Sequence, residues 1–233
     1  MKESKYIGDE LSLFKDAMTW KNYWFNAVKS YIKGDVLEIG AGIGVNTNLI
    51  LQNPEVSSLI AVEPDESLSR QIIENVEEDT SKVTVHTGFI HDISISKKFD
   101  TIIYIDVIEH IKNDNEELSR AKLHLKEGGH LIILVPAYNF LFSPFDKAIG
   151  HYRRYNKKLL MNSVPLNLTK IELFYLDSLG ACASLVNKLF LKQSYPTKNQ
   201  IKKWDRLIVP TSKIMDKIIL RSMGKSLIGI WKK

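Results

Sequence analysis

Val36-Leu-Glu-Ile-Gly-Ala-Gly-Ile-Gly44 is a short apolar run that breaks into three alternating glycines. Its first half reads as a buried strand, Asp35–Ile39, and the residues beyond it, Val45–Leu51, read as a helix closed before Pro54. Glycines between a strand and a helix let the backbone turn sharply and approach a ligand with no side chain in the way. The helix that opens behind them offers unpaired N–H groups to a negative group. The spacing is G-x-G-x-G, whereas the dinucleotide fingerprint G-x-G-x-x-G would require glycine at Val45. Such a triplet also occurs as a plain tight turn, so its meaning rests on its surroundings.

Outward from it, strands and helices alternate. Leu59–Val62 reads as a second strand ending at Glu63-Pro64, followed by strands at Lys82–Thr87, Phe99–Ile105 and His130–Val135. Between them Asp65–Glu78 and Asn113–Leu125 read as helices, the latter leaving through Gly128-Gly129. Upstream, Lys15–Ile32 is a helix rich in aromatics: Trp20, Tyr23, Trp24 and Phe25. Downstream, Leu166–Leu176 and Ser226–Trp231 read as strands, Ser178–Leu191 and Asp205–Leu220 as helices, and Gln193–Gln200 as a turn or linker. Strands apolar on both faces and separated by helices predict an α/β fold, a doubly wound, mostly parallel sheet. Ligands of such sheets bind beyond the carboxyl ends of the strands, where strand order reverses. Glu63 stands at one such end, at the distance from the glycines where an acid accepts both hydroxyls of a ribose; the alternative is a solvent-facing turn acid. Ala137–Tyr155 breaks the pattern and reads as a long structured loop, of the kind that more often carries function than not.

The chain's 233 residues, 44% hydrophobic and 25% charged, are those of one globular domain and exclude a disordered or fibrous chain. No apolar run reaches the roughly 18 to 20 residues that span a bilayer, and Met1–Glu10 has no apolar signal core. A single cysteine, Cys182, excludes a disulfide framework, and a reducing cytoplasm is the expected setting. The net charge of +5 conceals an asymmetry, because residues 188–233 carry twelve Lys and Arg against only Asp205 and Asp216. That segment suits an anionic partner, or is a solvated basic face.

Four segments in order, Val36–Gly44, Ala61-Val-Glu-Pro64, Phe99–His110 and Leu125–Leu131, resemble the class I S-adenosylmethionine-dependent methyltransferases. The resemblance implies a Rossmann-like sheet of seven strands with an antiparallel last strand, and S-adenosyl-L-methionine as cofactor. It implies that Glu38, Gly40 and Gly42 line the methionine end and that Glu63 holds the ribose. Asp106 then faces the methionine amino group or the acceptor, and Tyr23 of the N-terminal helix is the candidate for the methionine carboxylate. The family usually has an acid directly after the glycine that ends the third strand; here Gly88 is followed by Phe89. Adenine contact then falls to Phe89 and Ile90, or to Asp92.

Phe142-Ser-Pro-Phe-Asp146, Gly150-His-Tyr-Arg-Arg-Tyr155 and Lys225-Ser-Leu-Ile-Gly229 resemble a bacterial subgroup related to the ubiquinone-biosynthesis O-methylases. This implies O-methylation of a small-molecule or peptide acceptor, in sugar or natural-product modification. His151, Arg153, Arg154, Lys157 and Lys158 gather positive charge where that acceptor should sit, and arginine grips carboxylates and phosphates bidentately, so an anionic acceptor is expected. The alternative is that Arg153 or Arg154 pairs with an acid such as Asp146 and pins the loop. His110 and His151 are the candidate bases, with Asp106 beside them. Asp106, Glu109, His110 and His151 also resemble a Glu-x-x-Glu-His metal pattern, but Asp106 shortens one arm and no resident metal is expected. The expected division is an N-terminal helical lid (1–33), a cofactor-binding core (34–135), an acceptor-side loop and helix (136–165) and C-terminal strands with basic helices (166–233). The rivals are an RNA 2′-O-methyltransferase, favoured by the basic tail, a nicotinamide-dependent dehydrogenase, disfavoured by Val45, and a binding module that has kept only the cofactor site.

Overall fold

The computed structural model describes residues 10–77, 79–191, 193 and 195–233. Residues 1–9 of the expected N-terminal lid and Glu78, the expected end of one helix, lie outside them. Among the described residues seven strands form one sheet in the order β3-β2-β1-β4-β5-β7-β6. They are β1 (Gly34–Ile39), β2 (Val56–Glu63), β3 (Val83–Thr87), β4 (Phe99–Ile105), β5 (Leu125–Pro136), β6 (Thr169–Leu176) and β7 (Ser226–Lys232). The first five run parallel, and β7 inserts antiparallel between β5 and β6. The strand order reverses between β1 and β4, so the crevice expected of such a sheet opens beyond Ile39 and Ile105.

Helices cover both faces, as the unbroken burial of the central strands requires. Val36, Ile103, Ile132 and Ile230 point into one core with α2 (Met18–Val28), α3 (Val45–Leu51) and α10 (Val209–Ile218). Leu37, Ile102, Leu131 and Trp231 point into the other, with α5 (Asp114–His124) and α7 (Lys157–Ser163). Each strand feeds both cores because successive side chains alternate across a sheet.

Several elements depart from the sequence expectation. The N-terminal helix is divided into α1 (Glu10–Phe14) and α2, and β5 begins at Leu125, running through Gly128-Gly129 where a helix exit is expected. The loop after Pro136 folds into a 3₁₀ turn (139–141) and α6 (Pro144–Ala148). α4 (Glu66–Asn75) is capped by Asp65, which accepts from the N–H groups of Ser67 and Leu68. The linker expected at Gln193–Gln200 ends in α9 (Lys198–Lys203), which continues through a π-turn (204–208) into α10, beside α8 (Ser178–Val186).

Candidate active site

The three glycines leave β1 with φ of +69° at Gly40, +59° at Gly42 and +84° at Gly44. Val62 O accepts from the N–H groups of Gly40 and Ala41, which ties the loop to the end of β2. There Glu63, 5% exposed, accepts from Gly42 N (2.8 Å) and Asp65 N (3.0 Å). Burial raises its carboxyl above the usual range against these two bonds. Behind the loop Glu38 is 2% exposed and accepts from Thr47 Oγ1 at 2.6 Å. Burial pushes its carboxyl up to about 8, the Thr47 bond opposing. Leu11 of α1 lies over the loop, 3.2 Å from where a Cβ on Gly42 would stand. At the far rim, Phe89 is half-exposed and stacks on His91, its N–H held by the Asp92 carboxylate at 2.8 Å. Ile90, expected beside the adenine, is buried in the core with Leu37 and Val62.

Asp106 follows β4 in a left-handed conformation (φ +54°), its N–H donating to Leu134 O. A non-glycine residue is rare there, and such strain concentrates at functional sites. The side chain is open to solvent yet surrounded by protein, as on the floor of a cleft. Burial pushes its carboxyl up to about 6 against the pull of His151, Lys21 and Lys225. Lys21 of α2 faces the same space, its ammonium lowered by burial while Asp106, Asp205 and Glu38 oppose. Tyr23, the expected carboxylate ligand, instead donates to Asp216 at 2.8 Å and is buried. Two residues of helix separate the side chains by about 200°, so Lys21 reaches the cleft and Tyr23 turns away from it.

The side expected to receive the acceptor is built from the 3₁₀ turn 108–110, α6 and residues 150–155. Asp146, fully buried, receives Arg154 bidentately (2.8 and 3.0 Å), Ser143 and the Nδ1 of His151 at 2.9 Å. Burial alone would raise this carboxyl, but the His151 bond and the Arg154 charge hold it far below the usual range. Arg153 pairs with Asp114 at 2.9 Å and donates to Lys112 O. The two guanidiniums expected to grip the acceptor are therefore both engaged within the chain, and Arg154 pins the loop through Asp146. With Nδ1 donating to Asp146, His151 keeps the Nε2 lone pair, 3.9 Å from Glu109 Oε1. His110 meets His151 edge-to-face at 4.5 Å, and burial, with the neighbouring His151, pushes its imidazole down to about 4. Glu109 is fully buried, and neither oxygen has a hydrogen-bond partner among the described residues. Burial and the charge of Asp106 raise it well above the carboxylate range. One ligand atom each from Glu109, His110 and His151 lies within 4.8 Å of the others, a grouping that leaves out Asp106. Lys225 stands among Asp177, Arg154, Asp106 and Asp146, over the Trp204 ring at 4.7 Å, and its ammonium makes no ion pair among the described residues.

Residues 21–187 match the methyltransferase domain family. The chain belongs to it. The motifs, sheet order and antiparallel β7 place it in the class I S-adenosylmethionine-dependent group, and the nicotinamide alternative falls. A ubiquinone biosynthesis O-methyltransferase of Rickettsia bellii is 28% identical over 119 residues, 48% of each protein. An uncharacterised methyltransferase of Staphylococcus carnosus is 28% identical over 132 residues, 55% of this chain and 59% of that protein. The chain thus spans about half the length of the curated relatives it matches. A methyltransferase of Archaeoglobus fulgidus shares the fold at TM-score 0.64 and 15% identity, covering 96% of this chain and 97% of that one. The Bradyrhizobium japonicum N-methyltransferase NodS, solved with S-adenosyl-L-homocysteine, does so at TM-score 0.60 and 12% identity, covering 100% and 94%.

Sequence reasoning gave Lys21 no place in the site and named Lys225 only as the start of the Lys225–Gly229 motif. A lone lysine on an aromatic helix carries no spacing signal; the folding of α2 and the entry of β7 bring the two near Asp106.

Proposed function

We propose that this methyltransferase transfers the methyl group of S-adenosylmethionine to a hydroxyl oxygen of a small, anionic acceptor. The observation that carries this is His151, held by Asp146 through Nδ1 with Nε2 left to accept a proton, near enough to Asp106 to act on its carboxyl. In this reading Glu63 takes the ribose, the glycine loop and Glu38 the methionine end, and Lys21 its carboxylate. Phe89 and Asp92 flank the adenine, and α1, above Gly42, belongs to the lid. The acceptor oxygen attacks the methyl carbon as the C–S bond breaks. Sulfur keeps that electron pair and becomes a neutral thioether, and the hydroxyl proton passes to His151 Nε2. Alignment and exclusion of water supply most of the rate, because the sulfonium is already activated. With Arg153 and Arg154 engaged, Lys225 is the cation that supports an anionic acceptor. The N-methylating neighbours do not favour nitrogen here, since their likeness is of fold alone.

Glu109 favours a second reading, because a fully buried carboxyl without a partner calls for either a proton or a cation. Glu109, His110 and His151 fit a divalent ion of the Mg²⁺, Mn²⁺ or Zn²⁺ kind, with Asp146 fixing His151 from behind. Such an ion would polarise the acceptor hydroxyl.

One experiment tests both. Methyl transfer is measured against a panel of hydroxylated carboxylates and phosphosugars, before and after chelation. His151→Ala should lower turnover on the order of a hundredfold with donor affinity unchanged, and Asp146→Asn should lower kcat more than it raises KM. Full turnover in both variants removes the histidine base; turnover lost on chelation and restored by Mn²⁺ selects the metal reading.

A further inference from the structure

The two acids of the basic C-terminal segment are both buried. Asp205 caps α2 through the N–H groups of Thr19 and Trp20, and Asp216 holds Tyr23, Asp177 N and Ser178 N. The outward charge of residues 198–221 is therefore all basic. These residues form one continuous helical run as far as Ile218, whose inner stripe is Ile201, Trp204, Val209, Ser212 and Asp216. The stripe opposite holds Leu207, Ile214 and Ile218, which are 65%, 65% and 70% exposed, and Leu220 just beyond is 87% exposed. Lys203, Arg206 and Lys217 flank it, all exposed, while Lys213 leans toward α2 with its Nζ 5.9 Å from the Tyr23 ring. α8 packs alongside, and the chain leaving it exposes Leu189 and Phe190. A helix whose inner face is already buried has no need of aliphatic side chains in water.

We propose that this outer face docks on an anionic lipid bilayer, with the lysines and Arg206 against the headgroups and Leu207, Ile214, Ile218 and Leu220 in the boundary beneath them. Aliphatics ringed by cations suit that boundary. Single-stranded nucleic acid is gripped by aromatic platforms between the cations, and the side chains between these cations are aliphatic. A second copy would set one basic face against another. No helix among the described residues is long and apolar enough to cross a membrane, so the contact is superficial. α2, which carries Lys21, packs on the inner side of the same helices, which sets the donor site one helix layer from the lipid.

Flotation of the full chain with vesicles of phosphatidylcholine alone, or of equimolar phosphatidylcholine and phosphatidylglycerol, tests this. Binding is expected to the anionic vesicles only and should weaken as salt rises. Each charge near such a surface is worth roughly fivefold, so Arg206→Gln with Lys217→Gln should lower binding on the order of tenfold or more. Ile214→Ser with Ile218→Ser should lower it comparably, with circular dichroism and S-adenosylmethionine binding unchanged. No binding to anionic vesicles, equal binding to neutral ones, or wild-type flotation of the isoleucine variant overturns the proposal. So does RNA binding without vesicle binding, or a dimer that the isoleucine variant dissolves.

Discussion

At neutral pH the Glu38 carboxyl keeps its proton, because burial pushes it up to about 8. The donor proposed to lie beside it brings a sulfonium charge, and a cation nearby favours the ionised carboxyl. Donor binding should therefore expel a proton. Calorimetry at pH 7 in buffers of different ionisation heat should report release of close to one proton with S-adenosylmethionine and less with its thioether product, which lacks that charge. Glu38→Gln should abolish the difference; equal release for both ligands would remove Glu38 from the sulfonium's neighbourhood. The same shift affects unliganded stability. A folded-state pKa above the ordinary value of about 4.3 stabilises fully below that pH, and the contribution is lost as pH rises to about 8. Urea midpoints should fall across that window and stay flatter in Glu38→Gln. The place of Glu38 beside the glycine loop was legible because it sits in the run that leads into the glycines. The place of Lys21 was not, because it depends on which side of α2 meets the sheet.

The glycine loop gives the corresponding test for an element. Gly44 has φ +84°, and a Cβ there would stand 2.9 Å from Ile72 Cα and 3.0 Å from Ile72 O, in the backbone of α4. Gly44→Ala must strain its own backbone and push α4 away, so it should cost about 2 kcal/mol or more and weaken donor binding. Gly128→Ala is the control: φ is +77°, but the nearest contact is Lys232 Cε at 3.8 Å, so only the backbone strain of about 1 kcal/mol remains. Equal losses by urea unfolding would show that the approach of α4 contributes nothing. Elements with a clear period were readable from sequence: Val45–Leu51 and Phe99–Ile105 form where the pattern puts them. The start of β5 was not: His130–Val135 lies within the strand, but Gly128-Gly129 carries the signature of a helix exit, and here the strand already runs through it from Leu125, with Gly128 N bonded to Lys233 O. α6 is too short for a period and is held by the Ser143–Asp146 capping box. The same Asp146 claims Arg154, a partnership that spacing offered only as an alternative.

At the scale of the molecule, the C-terminal helices are fastened to α2 and α8 through Asp216 and Asp177. Asp216 accepts from Tyr23 on α2 and from two N–H groups at the start of α8. Asp177 accepts from Ser212 on α10, from Trp204 in the π-turn and from Gly180. Composition shows residues 188–233 as a basic segment, and only the fold shows that its two acids, Asp205 and Asp216, are buried. Asp216→Ala strands three buried donors at once, each costing about 1 to 3 kcal/mol, so a loss of at least about 3 kcal/mol by urea unfolding is expected. Tyr23→Phe removes one donor together with its share of the acceptor and should cost only about 1 kcal/mol. The separation matters for function: Tyr23→Phe leaves α2 seated and should bind the donor normally. Asp216→Ala frees α2 from α8 and α10, so Lys21 should lose its place and donor affinity should fall with stability. If Asp216→Ala costs less than Tyr23→Phe, the aspartate is not the fastening and α2 is held by its aromatic packing alone.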